Sequence, residues 1–339
     1  MTKEFGAIGV IIYSDPHEDG ELQKEKPYPE GPGRHPSAVQ RGSVQFLSKL
    51  PGDPSTPGYA SKPGVNRSDT TEYIPSIPSL PISYRDAIPF LKSLNGGTLC
   101  GTELGDNWPG SLDGIDYCVE NLTQKPTVNL INEVEFVYTP IYNVIGRIPG
   151  TLPQEIILGN HRDAWIYGAG DPTSGTAAFN AVLQSFSRLL KKGWKPHRTL
   201  VFASWDAEEY GLVGSTEWVE DHSKHLRENA LAYLNVDVGA VGDALNVAAS
   251  PLLDHVLVQA TKDVVTNTGT TVYENWLNSS SGEATVGVLG SGSDFTGFLQ
   301  LLGIASSDIG FSGRKAIYHC TPSFPPLRFF WLGWDNELT

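Results

Sequence analysis

His161, Asp163 and Asp171 lie in the stretch NHRDAWIYGAGD, directly behind an apolar run at 156–158. Imidazole nitrogen and carboxylate oxygen are donors that zinc takes, and a carboxylate has two oxygens with which to bridge a metal pair. A lone His beyond a strand is usually a satisfied surface or core residue, so the company downstream decides. Glu208 and Glu209 follow a strand-like run at 198–204, Asp237 follows another at 231–236, and Tyr318 and His319 come after a further run at 303–306. Acidic or imidazole groups standing just past so many strand-like runs are hard to obtain from solvated loops, and together they point to a joint metal site. The adjacent glutamates suit that chemistry, because one carboxylate can face a metal while its neighbour stays free to move a water's proton. The competing reading of an acidic pair, a solvated helix start, is weakened by its place directly after FASWDA.

The apolar runs must deliver these side chains, and their character names the architecture. They are short and apolar, as strands buried on both faces of a sheet are, and in open α/β sheets ligands bind beyond the carboxyl ends of the strands. Between them, 175–192 has Phe179, Val182, Leu183, Phe186, Leu189 and Leu190 at helical spacing, with Thr173 or Ser174 as cap and Gly193 as stop. Residues 215–225 and 252–266 read as further helices. Strand and helix alternate, so the expected class is α/β, a mostly parallel sheet flanked by helices.

Composition bounds the rest. With 339 residues, 40% of them hydrophobic, the chain is long enough for two cored domains. The formal net charge is −14 and no Lys/Arg cluster exceeds Lys191-Lys192, which excludes nucleic acid as a partner. Gly168-Ala169-Gly170 lacks the third glycine of a dinucleotide fingerprint, and no Gly-Lys-Ser/Thr element marks a phosphate loop. The run GSGSD at 290–294 is not a serine nucleophile elbow. Residues 14–81 are rich in Pro and Gly, yet strand-like runs at 7–13 and 134–138 bracket them, so a folded, loop-rich domain is expected there. A helical pattern at 83–93 is interrupted by Pro89. No secretory signal or membrane anchor is read in this chain, and an opening in mid-strand leads us to expect natural sequence upstream. Cys100 and Cys118 could pair in an oxidising compartment, leaving Cys320 over. Sequons at Asn66, Asn121 and Asn278 fit a luminal or extracellular glycoprotein.

NHRDAW, GAGDPTSG, FASWDAEEYGLVGSTEW, NVD, GSGSDF and YH, in this order and at these separations, resemble the co-catalytic zinc peptidases of the glutamate carboxypeptidase II group. That family also contains the transferrin receptor, which keeps the fold without the peptidase centre. The resemblance implies two zinc ions, one on His161, Asp171 and Asp237 and the other on Asp171, Glu209 and His319, with Asp171 bridging. It implies Glu208 as general base, Asp163 orienting His161, Tyr318 donating to the oxyanion, and Ser291, Gly292 and Ser293 lining the substrate cleft. Thr56, Tyr59, Glu217 and Glu220 match the group's structural calcium site, an oxygen set that suits a hard cation. GAIGVIIYSDP, VQRGS, GDPSTPGY and PSIPSLPISYRDA resemble the inserted protease-associated, or apical, domain.

The expected organisation is therefore a β-rich protease-associated domain at 1–140, a zinc peptidase α/β domain at 141–325 and an atypical tail at 326–339. The family's C-terminal helical domain, which makes its homodimer, is not recognised, so the chain reads as truncated at both ends. Ser293 stands where glutamate-specific members have Asn, Asn246 replaces an Arg, and no arginine patch is recognisable before His319. These departures remove support for a glutamate preference. The expected function is a secretory, vacuolar or extracellular di-zinc exopeptidase, carboxypeptidase-like, acting on peptides. The alternative is a non-catalytic, transferrin-receptor-like scaffold or an inactive fragment.

Overall fold

The computed structural model describes residues 6–312, apart from 29, 107, 125 and 281. Tyr318, His319, Cys320 and the tail at 326–339 lie outside the described residues. Two compact units divide the chain. Among the described residues, one comprises those up to Gly42 with Pro75–Tyr138, and the other Ser43–Ile74 with 139–312. Residues 43–74, read in linear order as part of the first domain, thus cluster with the second unit.

In the first unit, β1 (Val10–Ile12) and β2 (Ser79–Pro81) pair in parallel. Then come α1 (Tyr84–Lys92) and the antiparallel pair β3 (Thr98–Cys100) and β4 (Cys118–Glu120), tied by the Cys100–Cys118 disulfide. Asp15 organises the loops: one oxygen accepts from Tyr117 Oη at 2.5 Å, the other from the backbone of His17 and Ser111 at 2.9 Å each. Burial and the Asp15 charge push the Tyr13 phenol up to about 12. Arg34 and Asp19 form a buried two-point ion pair, 2.8 and 2.6 Å.

Several sequence expectations for this unit change. Pro89 does not interrupt α1; it and Arg85, whose carbonyl it leaves without a helical donor, are both exposed. The run at 134–138 forms no strand, and its Val134, Phe136 and Tyr138 are 67–75% exposed. Alternation licenses a strand only where an edge is offered to pair with it. Asn66 and Asn278 are exposed, whereas Asn121 is buried with its amide nitrogen donating to the Asn95 carbonyl at 2.9 Å, so Asn121 serves a turn.

The second unit is a mixed α/β layer. Its elements are β5 (Val144–Ile148), β6 (Leu152–His161), α2 (Thr173–Lys191), β7 (Arg198–Trp205), α3 (Val213–Asp221), α4 (Ser223–Asn229), β8 (Ala230–Asn235), β9 (Ala244–Ala249), α5 (Asp254–Asp263), α6 (Val272–Ser279) and β10 (Ala305–Ser312). They build a sheet of order β5-β7-β6-β8-β10-β9. The central strands run parallel, and β5 and β9 close the edges antiparallel. In that register His161 lies beside Trp205 and Gly159 beside Asn235, so β6, β7 and β8 end together. Gly159 is required: a Cβ would strike Tyr233 Oη and come within 2.7 Å of Trp205 Nε1.

Alternate side chains of β6 and β7 feed two cores. Ile157, Val201, Ala203 and Trp205 pack with Trp218, Val219, Leu226, Tyr233 and Phe298 on one face, whereas Leu200 and Phe202 meet Phe179, Leu183 and Phe186 of α2 on the other. Period-two alternation thus appears as two apolar faces, as expected of a sheet covered on both sides. Val182, Leu189 and Leu190, at apolar spacing in α2, remain 37–41% exposed because the stripe is wider than the sheet face it covers. The helix expected at 215–225 breaks into α3 and α4 at His222 (φ −105°, ψ 11°), and that at 252–266 shortens to α5 behind a 3-10 turn. The residue ahead of α2 is Pro172 and no side chain caps it, but Gly193, at φ +87°, follows its end as expected.

Phe298 has no exposed surface and stacks on Tyr233 at 4.1 Å. Phe298→Ala is expected to lower the unfolding free energy by about 3–5 kcal/mol in urea denaturation. Val182→Ser on the exposed stripe should change it by less than about 0.5 kcal/mol.

Candidate metal centre

His161 is the last residue of β6 and 1% exposed. Its Nδ1 faces the backbone carbonyl of Asp163 at 3.0 Å. A carbonyl only accepts, so Nδ1 carries the proton and Nε2 is the nitrogen left for a ligand role. Nε2 lies 2.9 Å from Asp237 Oδ1 and 3.1 Å from Asp171 Oδ1. Asp171 arrives from the loop before α2, and Asp237 stands just past β8. Donor atoms of the three residues all lie within 4.8 Å of one another. Ligands held at about 2 Å around a tetrahedral zinc are about 3.3 Å apart, so the set fits that ion. Burial pulls the His161 pKa down, but Asp237, Asp163 and Asp171 outweigh it and hold it well above the ordinary value.

The turn from β7 to α3 carries Glu208 and Glu209, 7% and 8% exposed. It is tight: Ala207 and Leu212 hold left-handed φ angles of 55° and 61°, and the Glu208 carbonyl accepts from Gly211 and Leu212 at 2.9 and 2.6 Å. Both oxygens of Asp163 receive its backbone, Oδ1 from Glu208 N at 3.0 Å and Oδ2 from Glu209 N at 3.1 Å. Burial would raise the Asp163 carboxyl, but His161 and these two N–H groups bring it below its ordinary value. Glu208 goes the other way: burial raises it, His161 opposes, and Asp237, Asp294 and Glu209 push it further up.

A one-way chain of donors ends on Asp237. Trp205 Nε1 donates to Tyr233 Oη, Tyr233 Oη to Asn235 Oδ1, and Asn235 Nδ2 to Ser293 Oγ and Asp308 Oδ1, each at 2.9 Å; Ser293 Oγ then donates to Asp237 Oδ2. An indole N–H can only donate, so every proton in the chain is directed and Asp237 Oδ1 is left toward His161. Ser293 is accordingly buried against Asp237, whereas Ser291 and Gly292 are exposed. Tyr233, Asn235 and the wholly buried Asp294, pushed up to about 7 chiefly by burial, were not singled out from sequence. The NVD and GSGSDF motifs adjoin or contain Asn235 and Asp294, but nothing in their residue types tells a ligand from its support.

A second oxygen cluster lies in the same unit. Glu217 accepts from Asp53 N at 2.7 Å and Ser61 N at 2.6 Å through its two oxygens. Thr56 Oγ1 and Glu220 Oε2 are buried without a hydrogen-bond partner. Tyr59 Oη donates to the Asn66 carbonyl at 2.6 Å, which leaves the Tyr59 backbone carbonyl as its available oxygen. Burial pushes Glu217 and Glu220 each to about 7, with Asp53 adding to both and Glu217 adding to Glu220. Unpartnered oxygens and carboxyls raised this way fit a hard cation. Asp53, which accepts from Ser55, Ser61 and Arg67, joins a cluster in which sequence reading had not placed it.

The sequence model of peptidase family M28 matches residues 143–322. A probable glutamate carboxypeptidase of Arthroderma benhamiae is 47% identical over 331 residues, covering 94% of this chain and 45% of that protein. A probable glutamate carboxypeptidase of Arabidopsis thaliana is 40% identical, covering 93% of this chain and 45% of that protein. An aminopeptidase of Rattus norvegicus is 36% identical, covering 91% and 43%. The chain thus spans less than half the length of these relatives.

Zinc and a proton compete for His161 Nε2. Because the metal-free pKa is raised, affinity for zinc should fall as pH drops through that raised value and level off above it. Calorimetric zinc titrations in buffers of different ionisation enthalpy should show net proton release at pH 7.

Proposed function

The chain belongs to peptidase family M28, and on that premise we propose that it is a di-zinc exopeptidase of the carboxypeptidase type. The observation that carries the reading is the convergence of His161 Nε2, Asp171 and Asp237 at the common end of β6, β7 and β8, with Glu208 buried close by. One zinc would be held by His161, Asp171 and Asp237 and the other by Asp171, Glu209 and His319, with Asp171 common to both sets. The metals supply Lewis acidity and lower the pKa of water. Glu208 takes the proton from the attacking water and passes it to the leaving amine. In the metal-free chain burial and the flanking carboxylates Asp237, Asp294 and Glu209 favour its protonated form; bound cations would oppose that and leave the carboxylate able to accept a proton. Tyr318 Oη donates to the oxyanion. Asp171 and Asp237 hold the charge that offsets the cations, and the donor chain through Ser293 keeps Asp237 in its rotamer.

Carboxypeptidase action is supported by similarity to the probable glutamate carboxypeptidases of the fungus and the plant, against the similarity to the rat aminopeptidase. A structural calcium on Thr56, Tyr59, Glu217 and Glu220 is supported by the unpartnered oxygens and raised carboxyls described above. Residues 1–140, apart from 43–74, correspond in this reading to a protease-associated domain and 141–325 to the peptidase. A luminal or extracellular setting is supported by the Cys100–Cys118 disulfide and the exposed Asn66 and Asn278 sequons.

Glu208→Gln should lower kcat on an N-blocked dipeptide by about 10²- to 10⁴-fold while leaving zinc content unchanged by elemental analysis. Loss of zinc would assign Glu208 as a ligand instead, and a purified chain that binds no zinc would return it to the non-catalytic scaffold. Cleavage confined to substrates with a free amine would make it an aminopeptidase.

Without calcium, Glu217 and Glu220 bind more protons in the folded than in the unfolded chain between pH 4.5 and about 7. Their contribution to stability therefore falls as pH rises across that window. Added calcium should raise Tm most above pH 7, and Glu217→Gln with Glu220→Gln should abolish the increment in differential scanning calorimetry.

A further inference from the structure

We propose that the side chain of Asp163, besides facing His161, is a positioning residue for the glutamate turn, and through it for Glu208. The inference rests on the reading of Glu208 as general base. It follows from where the hydrogen bonds of residues 161–163 go. His161 Nδ1 is met at 3.0 Å by the Asp163 main-chain carbonyl, whereas the nearest Asp163 carboxylate oxygen is 3.6 Å away. The ring is thus held by a group that no side-chain substitution at 163 removes.

The carboxylate has a second commitment. Ala207 at φ 55° turns the chain so that the consecutive N–H groups of Glu208 and Glu209 point the same way, making a small anion-binding nest. Asp163 fills it with one oxygen per N–H, at 3.0 and 3.1 Å. Left-handed backbone at a residue with a side chain persists only where surroundings hold it. At the far end of the turn, Asn143 contributes by accepting Asp206 N at 3.0 Å and donating to the Gly214 carbonyl at 2.8 Å. Between them the turn has a fixed base on β5's flank and a fixed crown at Asp163, and the carboxylate of Glu208 hangs from the crown.

The test uses the full chain with Asp163→Ala, which removes both acceptors, and Asp163→Asn, whose amide oxygen keeps one. In metal-free protein, hydrogen exchange at the Glu208 and Glu209 amides should speed up by about tenfold or more for Asp163→Ala and less for Asp163→Asn. On an N-blocked dipeptide kcat should fall at least about tenfold with KM little changed. In a Glu208→Gln background Asp163→Ala should cost nothing further, because the group it positions is gone. Unchanged amide exchange at Glu208 and Glu209 in Asp163→Ala overturns the proposal and leaves Asp163 with His161 alone. If Glu208→Gln alone leaves kcat intact, the base assignment is what fails, and the exchange measurement still decides whether Asp163 holds the turn.

Discussion

Like charges taken out of water repel, and the carboxylates around His161 make that repulsion the constraint on the whole end of the sheet. Asp171, Glu208, Glu209 and Asp294 are each no more than 8% exposed, and Asp237 is in contact with His161. Burying one ionised carboxylate costs several kcal/mol unless a positive partner or a proton meets it. The imidazole is one cation at most, so the cluster is balanced only by holding protons or by binding metal. The raised pKa values of Glu208 and Asp294 register the first solution, and the convergence of nitrogen and oxygen donors offers the second. Glu217, Glu220 and Asp53 pose the same problem in smaller form, with oxygens that suit a harder ion.

The backbone carries much of the arrangement. Parallel register ends β6, β7 and β8 side by side, so three loops leave from one line. Gly159 lets the strands close over Tyr233 and Trp205, and those side chains begin the donor chain that reaches Asp237. The same apolar face that stabilises the sheet therefore sets the direction of a hydrogen bond at the site. The turn after β7 works differently. It places Glu208 and Glu209 by holding Ala207 in a conformation that side chains disfavour, and a carboxylate from the neighbouring loop fills the nest so formed.

Much of this was legible from residue order. The runs ahead of His161, Glu208, Asp237 and His319 read as buried strands because they are apolar and end abruptly in polar residues; β6, β7 and β8 form at the first three, while β10 starts only at Ala305 within the run at 303–306 and continues to Ser312. Less legible were elements defined by partners. The run at 134–138 has the composition of a strand and forms none, while β9 and α6 were passed over although Leu245 and Val247 of the one pack with Trp276 of the other. His222 breaks an otherwise continuous helical pattern, and periodicity carries no sign of it. Tyr318 and His319 were named from their motif and lie outside the described residues.

Sequence by itself determined the chemistry on offer. Residue types at strand ends give a set of nitrogen and oxygen donors, and motif order carries the family, because both are local properties of the chain. Which atom faces which was decided only in three dimensions. Ser293 reads as cleft and packs against Asp237, Asp163 reads as a partner of His161 and also gives its carboxylate oxygens to Glu208 N and Glu209 N, and Asp53 reads as loop and joins an oxygen cluster. Hydrogen-bond direction and distance depend on how separate segments meet, and no single segment encodes that.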